Sequence, residues 1–131
     1  MQKVAPILDK KEIHFNKIDG DCTLHEAINR MNSQNMECLV VTDHNGSFIG
    51  LLTEQDIVRK TLLSRRSLLI TKVFEAMNNQ LPFADVDDSV EHCMQLMKRF
   101  KIRYLPIFRD LEFLGIVSSD DILEEILYSG S

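Results

Sequence analysis

Cysteine is scarce in this chain of 131 residues: Cys22, Cys38 and Cys93 form an odd set with no CxxC spacing. That argues against a disulfide framework and against a zinc ribbon, and it suits a reducing compartment. Long apolar runs are missing too. None approaches the ~20 residues that cross a bilayer, and Met1 to Pro6 hold no apolar core of signal-peptide length. The expected setting is the cytoplasm, with no membrane partner. Basic charge is in deficit: 15 Lys and Arg stand against 20 Asp and Glu, a net charge of −5. Broad nucleic-acid binding needs basic patches to neutralise phosphates, so the charge argues against that class, and no nucleic-acid partner is expected. The pairs Arg59-Lys60 and Arg65-Arg66 read as a solvated face. His14, His25, His44 and His92 share no ligand spacing. Cys22 with His25, and His92 with Cys93, lack a second local pair to complete a metal site, so none is expected. GxSxG, P-loop and GxGxxG motifs are absent, and no nucleophile–base pair can be assembled, so the chain does not read as an enzyme.

An apolar fraction of 44% and a charged fraction of 27% are those of a soluble globular protein. The most informative feature is an internal repeat. Residues 21–62 recur at 87–127, and each copy ends in the same phrase. One is Gly50-Leu51-Leu52-Thr53-Glu54-Gln55-Asp56-Ile57. The other is Gly115-Ile116-Val117-Ser118-Ser119-Asp120-Asp121-Ile122. An offset of 66 aligns Asp21 with Asp87, Met31 with Met97 and Leu39 with Leu105. After one residue drops out at a turn, an offset of 65 aligns Phe48 with Phe113, Gly50 with Gly115, Asp56 with Asp121 and Leu62 with Leu127. Two halves of about sixty residues are marginal alone, which predicts a shared core.

Within 23–35, Leu24, Ala27, Ile28 and Met31 share one helix face, and Thr23 with Glu26 forms a capping box. Cys38 to Val41 reads as a buried strand, Asn45-Gly46 as a hairpin turn, and Phe48 to Leu52 as the returning strand. Thr53 caps a helix with Ile57, Val58, Thr61 and Leu62 inward. The second half repeats the order. Val90, Cys93, Met94 and Met97 form a helical stripe capped by Asp88 or Ser89. Tyr104 to Phe108 is a strand in which the Pro106 nitrogen must face an edge or an opening. A turn near Arg109-Asp110 leads to a strand over 113–117, then to a helix carrying Ile122, Leu123, Ile126 and Leu127. Short leading strands fall near Lys17–Asp19 and Phe83–Val86. The expected layout is an N-terminal arm (1–16), repeat 1 (17–64), a connecting segment (65–78) that packs between the halves, and repeat 2 (79–131).

This order, the doubled phrase and its spacing resemble the CBS domain, a βαββα module that commonly occurs as a tandem pair. The resemblance covers roughly 15–128 and implies an α/β fold of two repeats packed about a pseudo-twofold axis with two clefts. It also implies binding of an adenosine-containing ligand, such as AMP, ADP, ATP, a dinucleotide or S-adenosylmethionine. Carried over by position, Thr53 and Asp56 line one cleft, and Ser118 and Asp121 the other, with each aspartate turned outward onto ribose hydroxyls. Met36, Cys38 and Val40 would frame one base, and Ile102, Tyr104 and Pro106 the other; Val40 stands where the second repeat has proline. Arg59, Lys60, Arg65, Arg66, Arg99, Lys101 and Arg103 are candidate phosphate partners. Glu54 and Asp120 would repel a triphosphate if they faced a cleft.

Two readings of function follow from the resemblance. One is a stand-alone regulatory module that senses an adenine nucleotide and signals to a partner, as a homodimer through helices such as 122–128. The other is a structural or interaction module with vestigial pockets. Thr53-x-x-Asp56 and Ser118-x-x-Asp121 also match the capping-box pattern, and in that case the same carboxylates would fold back on their own helix starts.

Overall fold

The structure is a computed structural model that describes residues 2–10 and 17–129. It divides into two compact units. One comprises residues 15–80; the other joins 1–14 to 81–131.

In the first unit, β1 (Lys17–Asp19) pairs in parallel with β2 (Cys38–Thr42), and β2 pairs antiparallel with β3 (Phe48–Thr53). Helix α2 (Leu24–Gln34) begins as its sequence predicts. Thr23 Oγ1 accepts the Glu26 N–H, and Glu26 Oε2 accepts the Thr23 N–H at 2.7 Å. Leu24, Ala27 and Met31 are buried with Ile18, Leu39, Val41, Leu52, Ile57 and Val73. The β2–β3 loop differs from a two-residue Asn-Gly turn. Only Gly46 takes positive φ, at 81°. Asp43 Oδ1 accepts the N–H groups of Asn45 and Ser47, and the Asp43 N–H donates to the Ser47 carbonyl. The aspartate thus closes a longer loop, with the glycine supplying its single left-handed residue. Helix α3 (Glu54–Val58) passes into a π-helical turn, Arg59–Leu63. Only Asp56 and Ile57 of that run are buried; Val58 and Leu62 are exposed. The inward face expected for them is therefore corrected. Helix α4 (Val73–Ala76) completes the unit.

The second unit repeats the plan. Strand β4 (Ala84–Asp85) pairs in parallel with β5 (Tyr104–Arg109), which pairs antiparallel with β6 (Glu112–Ser118). Helix α5 (Val90–Phe100) is capped by Ser89, whose Oγ accepts the His92 N–H at 3.0 Å. Helix α6 (Ser119–Ser129) buries Ile122 and leaves Leu123, Ile126 and Leu127 exposed. Pro106 sits on the central strand, but β4 begins opposite Ile107, so no β4 residue stands across from the proline. Its missing N–H falls at the open end of the ladder. Both hairpins skip one residue beside the phrase glycine. Val41 faces Gly50 while Thr42 faces Phe48, and Ile107 faces Gly115 while Phe108 faces Phe113. The bulge is thus part of the repeat.

Each unit has a buried cluster of its own. In the segment after Leu63, Val73 is buried in the first unit's cluster, with Leu68, Ala76 and Met77 packed against it, while Leu69 and Ile70 are exposed. The N-terminal residues form α1 (Ala5–Lys10), and Val4 and Ile7 are buried among the second unit's core residues. Residues 11–16, with His14, lie outside the described residues.

Candidate functional site

Each phrase spans a strand end, a cap and the first helical turn. Thr53 has extended φ and ψ of −111° and 166° and precedes α3. Its N–H donates to Asp56 Oδ2 at 2.9 Å, and its hydroxyl donates to the same oxygen at 3.0 Å. In return Thr53 Oγ1 accepts the Asp56 N–H at 3.3 Å. The second repeat is built alike. The Ser118 N–H donates to Asp121 Oδ2 at 2.8 Å, and Ser118 Oγ accepts the Asp121 N–H at 3.0 Å. Each aspartate thus commits Oδ2 to a capping box at its own helix start. A helix start leaves four N–H groups without intrahelical partners, and a near carboxylate satisfies one at short range. Asp56 is buried, and its Oδ1 lies 3.4 Å from Arg59 Nη1.

The strand residues nominated beside the phrases fall in matching places. Cys38 is opposite Thr53, and Tyr104 opposite Ser118. The N–H groups of Glu54 and Ser119 reach back to the carbonyls of Glu37 and Arg103. Met36 and Ile102 each follow a left-handed residue, Asn35 (φ 53°) and Lys101 (φ 55°), and each N–H donates into the helix before it, to Met31 and Met97. Leu39 and Val41 point into the unit's core, so Cys38 and Val40 take the other face of the sheet. Both are buried there; Pro106 is buried, while Met36, Ile102 and Tyr104 are half-buried.

Several basic candidates are engaged within their own unit. Arg59 meets Asp56, Arg66 Nη2 meets Glu75 Oε1 at 2.7 Å, and Arg103 Nη2 meets Asp120 Oδ2 at 3.5 Å. Arg99 lies over the Phe100 ring, and Arg65 is exposed with positive φ. The Arg103 contact gives the Asp120 charge a counter-ion. Backbone hydrogen bonding from Lys72, then the Arg66 contact, hold the Glu75 carboxyl below the usual carboxylate range. Burial pushes the Cys93 thiol up to about 11, and burial with the nearby Glu26 carboxylate raises Cys22.

One grouping was not legible in the sequence. His44 Nδ1 lies 3.2 Å from Asp19 Oδ2, and Nε2 lies 2.5 Å from Asp21 Oδ2. These three side chains offer ligand atoms within 4.8 Å of one another. The parallel β1–β2 pairing brings them together, which spacing along the chain does not reveal. No helix among the described residues is long and apolar enough to cross a membrane.

Comparison with known proteins agrees with this architecture. The CBS domain family model matches twice, over residues 7–62 and 73–128. The mitochondrial CBS domain-containing protein CBSX3 of Arabidopsis thaliana is 31% identical over 112 residues, 82% of this chain and 54% of that protein; the chain thus spans about half the relative's length. A CBS-domain protein of Burkholderia ambifaria superposes with a TM-score of 0.90 at 26% identity, covering 99% of this chain and 97% of the other. The CBS domain pair of protein MJ0100, solved in complex with 5′-methylthioadenosine and S-adenosyl-L-methionine, superposes with a TM-score of 0.79 at 26% identity, covering 99% and 98%. With two family matches on two units of the same plan, this chain belongs to the CBS domain family as a pair of CBS domains.

Proposed function

We propose that this CBS pair is a regulatory module that binds an adenosine-containing ligand and passes its occupancy to a partner protein. The observation that carries this reading is the doubled hydroxyl–carboxylate phrase, kept with the same geometry in both units, on a fold shared with a pair that holds two adenosine derivatives. A carboxylate has two oxygens and about four acceptor directions. The cap uses Oδ2. In the bound state Oδ1 would take vicinal ribose hydroxyls, displacing Arg59 at Asp56. Thr53 and Ser118, beside the first N–H groups of their helices, would receive a phosphate or other polar group. Met36, Cys38 and Val40, with Ile102, Tyr104 and Pro106, would frame the bases. The three free cysteines suit a reducing cytoplasmic setting.

The test is a thermal-shift panel of AMP, ADP, ATP, a dinucleotide, S-adenosylmethionine and 5′-methylthioadenosine. A ligand at about 100 times its Kd adds roughly 2.7 kcal/mol to stability. Asp56→Ala and Asp121→Ala should each weaken the responding ligand about tenfold to a hundredfold, since hydrogen bonds to a charged group contribute roughly 1.5–3 kcal/mol.

The capping boxes favour a second reading, in which the carboxylates serve only the helix starts and the pockets are vestigial. Under it, no ligand in the panel shifts the melting temperature, and the two alanine variants lose only stability.

Self-association belongs to the same proposal. The exposed apolar residues Leu123, Ile126, Leu127 and Tyr128 of α6 give a second copy a surface to cover. Light scattering should return a dimer mass.

A further inference from the structure

Asp19, Asp21 and His44 meet where the β1–α2 turn of the first unit touches its β2–β3 loop. Asp19 ends β1 opposite Thr42, and the Gly20 N–H donates to the Thr42 carbonyl, so the two turns lie side by side. Asp19 Oδ1 accepts the Asp21 N–H at 2.8 Å, and its Oδ2 lies 3.2 Å from His44 Nδ1. On the other side of the ring, Nε2 lies 2.5 Å from Asp21 Oδ2. The second repeat makes the same turn, with Asp85 Oδ1 accepting the Asp87 N–H at 2.8 Å. At the repeat offset of 66, however, Asp110 stands where the first repeat has His44. The paired aspartates therefore belong to the fold, and the imidazole is what the first unit adds.

We infer that His44 Nε2 and Asp21 Oδ2 hold a divalent cation of the zinc class, with Asp19 as the positioning residue behind the ring. This site is independent of any nucleotide. A neutral imidazole carries one N–H and one acceptor nitrogen. With the N–H on Nδ1, donated to Asp19, the Nε2 lone pair faces a carboxylate oxygen. Two acceptors this close need a cation between them. The order carboxylate, histidine, cation is the one in which an outer carboxylate fixes the tautomer of a ligating histidine and raises its basicity. Zinc bonds of about 2.0–2.1 Å at a tetrahedral angle set two donors roughly 3.3 Å apart. The pair need widen by less than about 1 Å, a small rotation for side chains on exposed turns. His44 and Asp21 are 76% and 56% exposed, so water completes the coordination. Imidazole selects zinc and its neighbours over calcium and magnesium, which take oxygen ligands. A proton on Nε2 is the competing cation, and it leaves a surface ion pair with no metal uptake.

The test is isothermal titration of the full chain with zinc chloride in a non-chelating buffer near neutral pH, with magnesium and calcium as parallel arms. One zinc ion per chain should bind at micromolar concentration, with no heat from magnesium or calcium. His44→Gln and Asp21→Asn, both at exposed side chains, should each remove that binding. Asp19→Asn keeps an acceptor for the Asp21 N–H, so the turn and the melting temperature should hold. With the charge behind the ring gone, zinc should bind about tenfold more weakly or worse. Cys22, three residues from His25, and His92, 3.8 Å from Asp88, are the other places with donors for zinc. His25→Gln and His92→Gln should therefore bind as the parent does. No zinc uptake at high micromolar concentration, uptake that survives His44→Gln, or a calcium response without a zinc response overturns the site. Unchanged affinity in Asp19→Asn overturns the role given to Asp19.

Discussion

Leu51 and Asn78 exchange two backbone hydrogen bonds, at 3.1 and 2.8 Å, which fasten the segment after α4 to strand β3. The neighbouring Gly50 is therefore closed in. A Cβ there would stand 2.8 Å from the Asn78 carbonyl oxygen and 3.0 Å from Met77 Sδ. Gly50→Ala should cost about 1–3 kcal/mol, since backbone must shift to admit it. Urea denaturation reads this directly; an unchanged midpoint would show that the segment after α4 yields freely.

Thr71 is fully buried, and its Oγ1 has no hydrogen-bond partner among the described residues. Its backbone is occupied: the carbonyl accepts the Leu24 N–H, and the N–H donates to Ser67. Thr71→Val keeps the shape and removes a buried polar atom. The variant should match the parent or gain up to about 1 kcal/mol in a thermal melt. A loss beyond about 1 kcal/mol would mean that the hydroxyl is satisfied.

Acid should weaken the first unit. Glu26 and Glu75 both belong to it, and both carboxyls are held below the usual range, chiefly by backbone N–H groups of Thr23 and Lys72. A folded-state value lowered in this way contributes stability that is full above the unfolded value and fades as pH falls through the folded one. Melting temperature should therefore drop from about pH 5 downward. Glu26→Gln and Glu75→Gln should each start lower at neutral pH and show a flatter decline.

Thiol reactivity should follow burial. Cys38 and Cys93 are buried, and Cys22 is half-buried. With its thiol pushed up to about 11, Cys93 holds almost no thiolate at neutral pH. A coloured disulfide reagent at about pH 8, near the ordinary thiol range, should label Cys22 slowly in the native protein. Cys38 and Cys93 should react only after denaturant is added. Fast labelling of Cys93 would indicate an opening of α5.

The caps make their own prediction. Asp56→Ala and Asp121→Ala each remove an acceptor for a cap N–H and should cost about 0.5–2 kcal/mol without any ligand. Asp56→Asn keeps an amide oxygen that can accept the Thr53 N–H, so chemical denaturation should show it losing less than Asp56→Ala.

Much of the plan was legible because short-range rules govern it. The Thr23 and Ser89 caps, the Val90–Cys93–Met97 stripe and the paired phrases all depend on neighbours within four residues. The sequence was less informative where a longer-range partner decides. Val58 and Leu62 fit an inward helical stripe, yet they are exposed, because periodicity marks an apolar face without saying what covers it. Asn45-Gly46 suggested a two-residue turn, but the Asp43 side chain organised a longer one. The Asp19–Asp21–His44 grouping needed the parallel β1–β2 register. For Asp56 and Asp121 the pattern itself carried two meanings, and the cap is the one that their own helix enforces locally.

Val4 and Ile7, near the start of the chain, are core residues of a unit whose other members begin at Ala84. During synthesis that unit stays unfinished until the ribosome has delivered α6, whereas residues 17–80 form one uninterrupted stretch. Local closure outpaces distant closure, so the first repeat can settle early while Val4 and Ile7 stay uncovered until α6 has emerged.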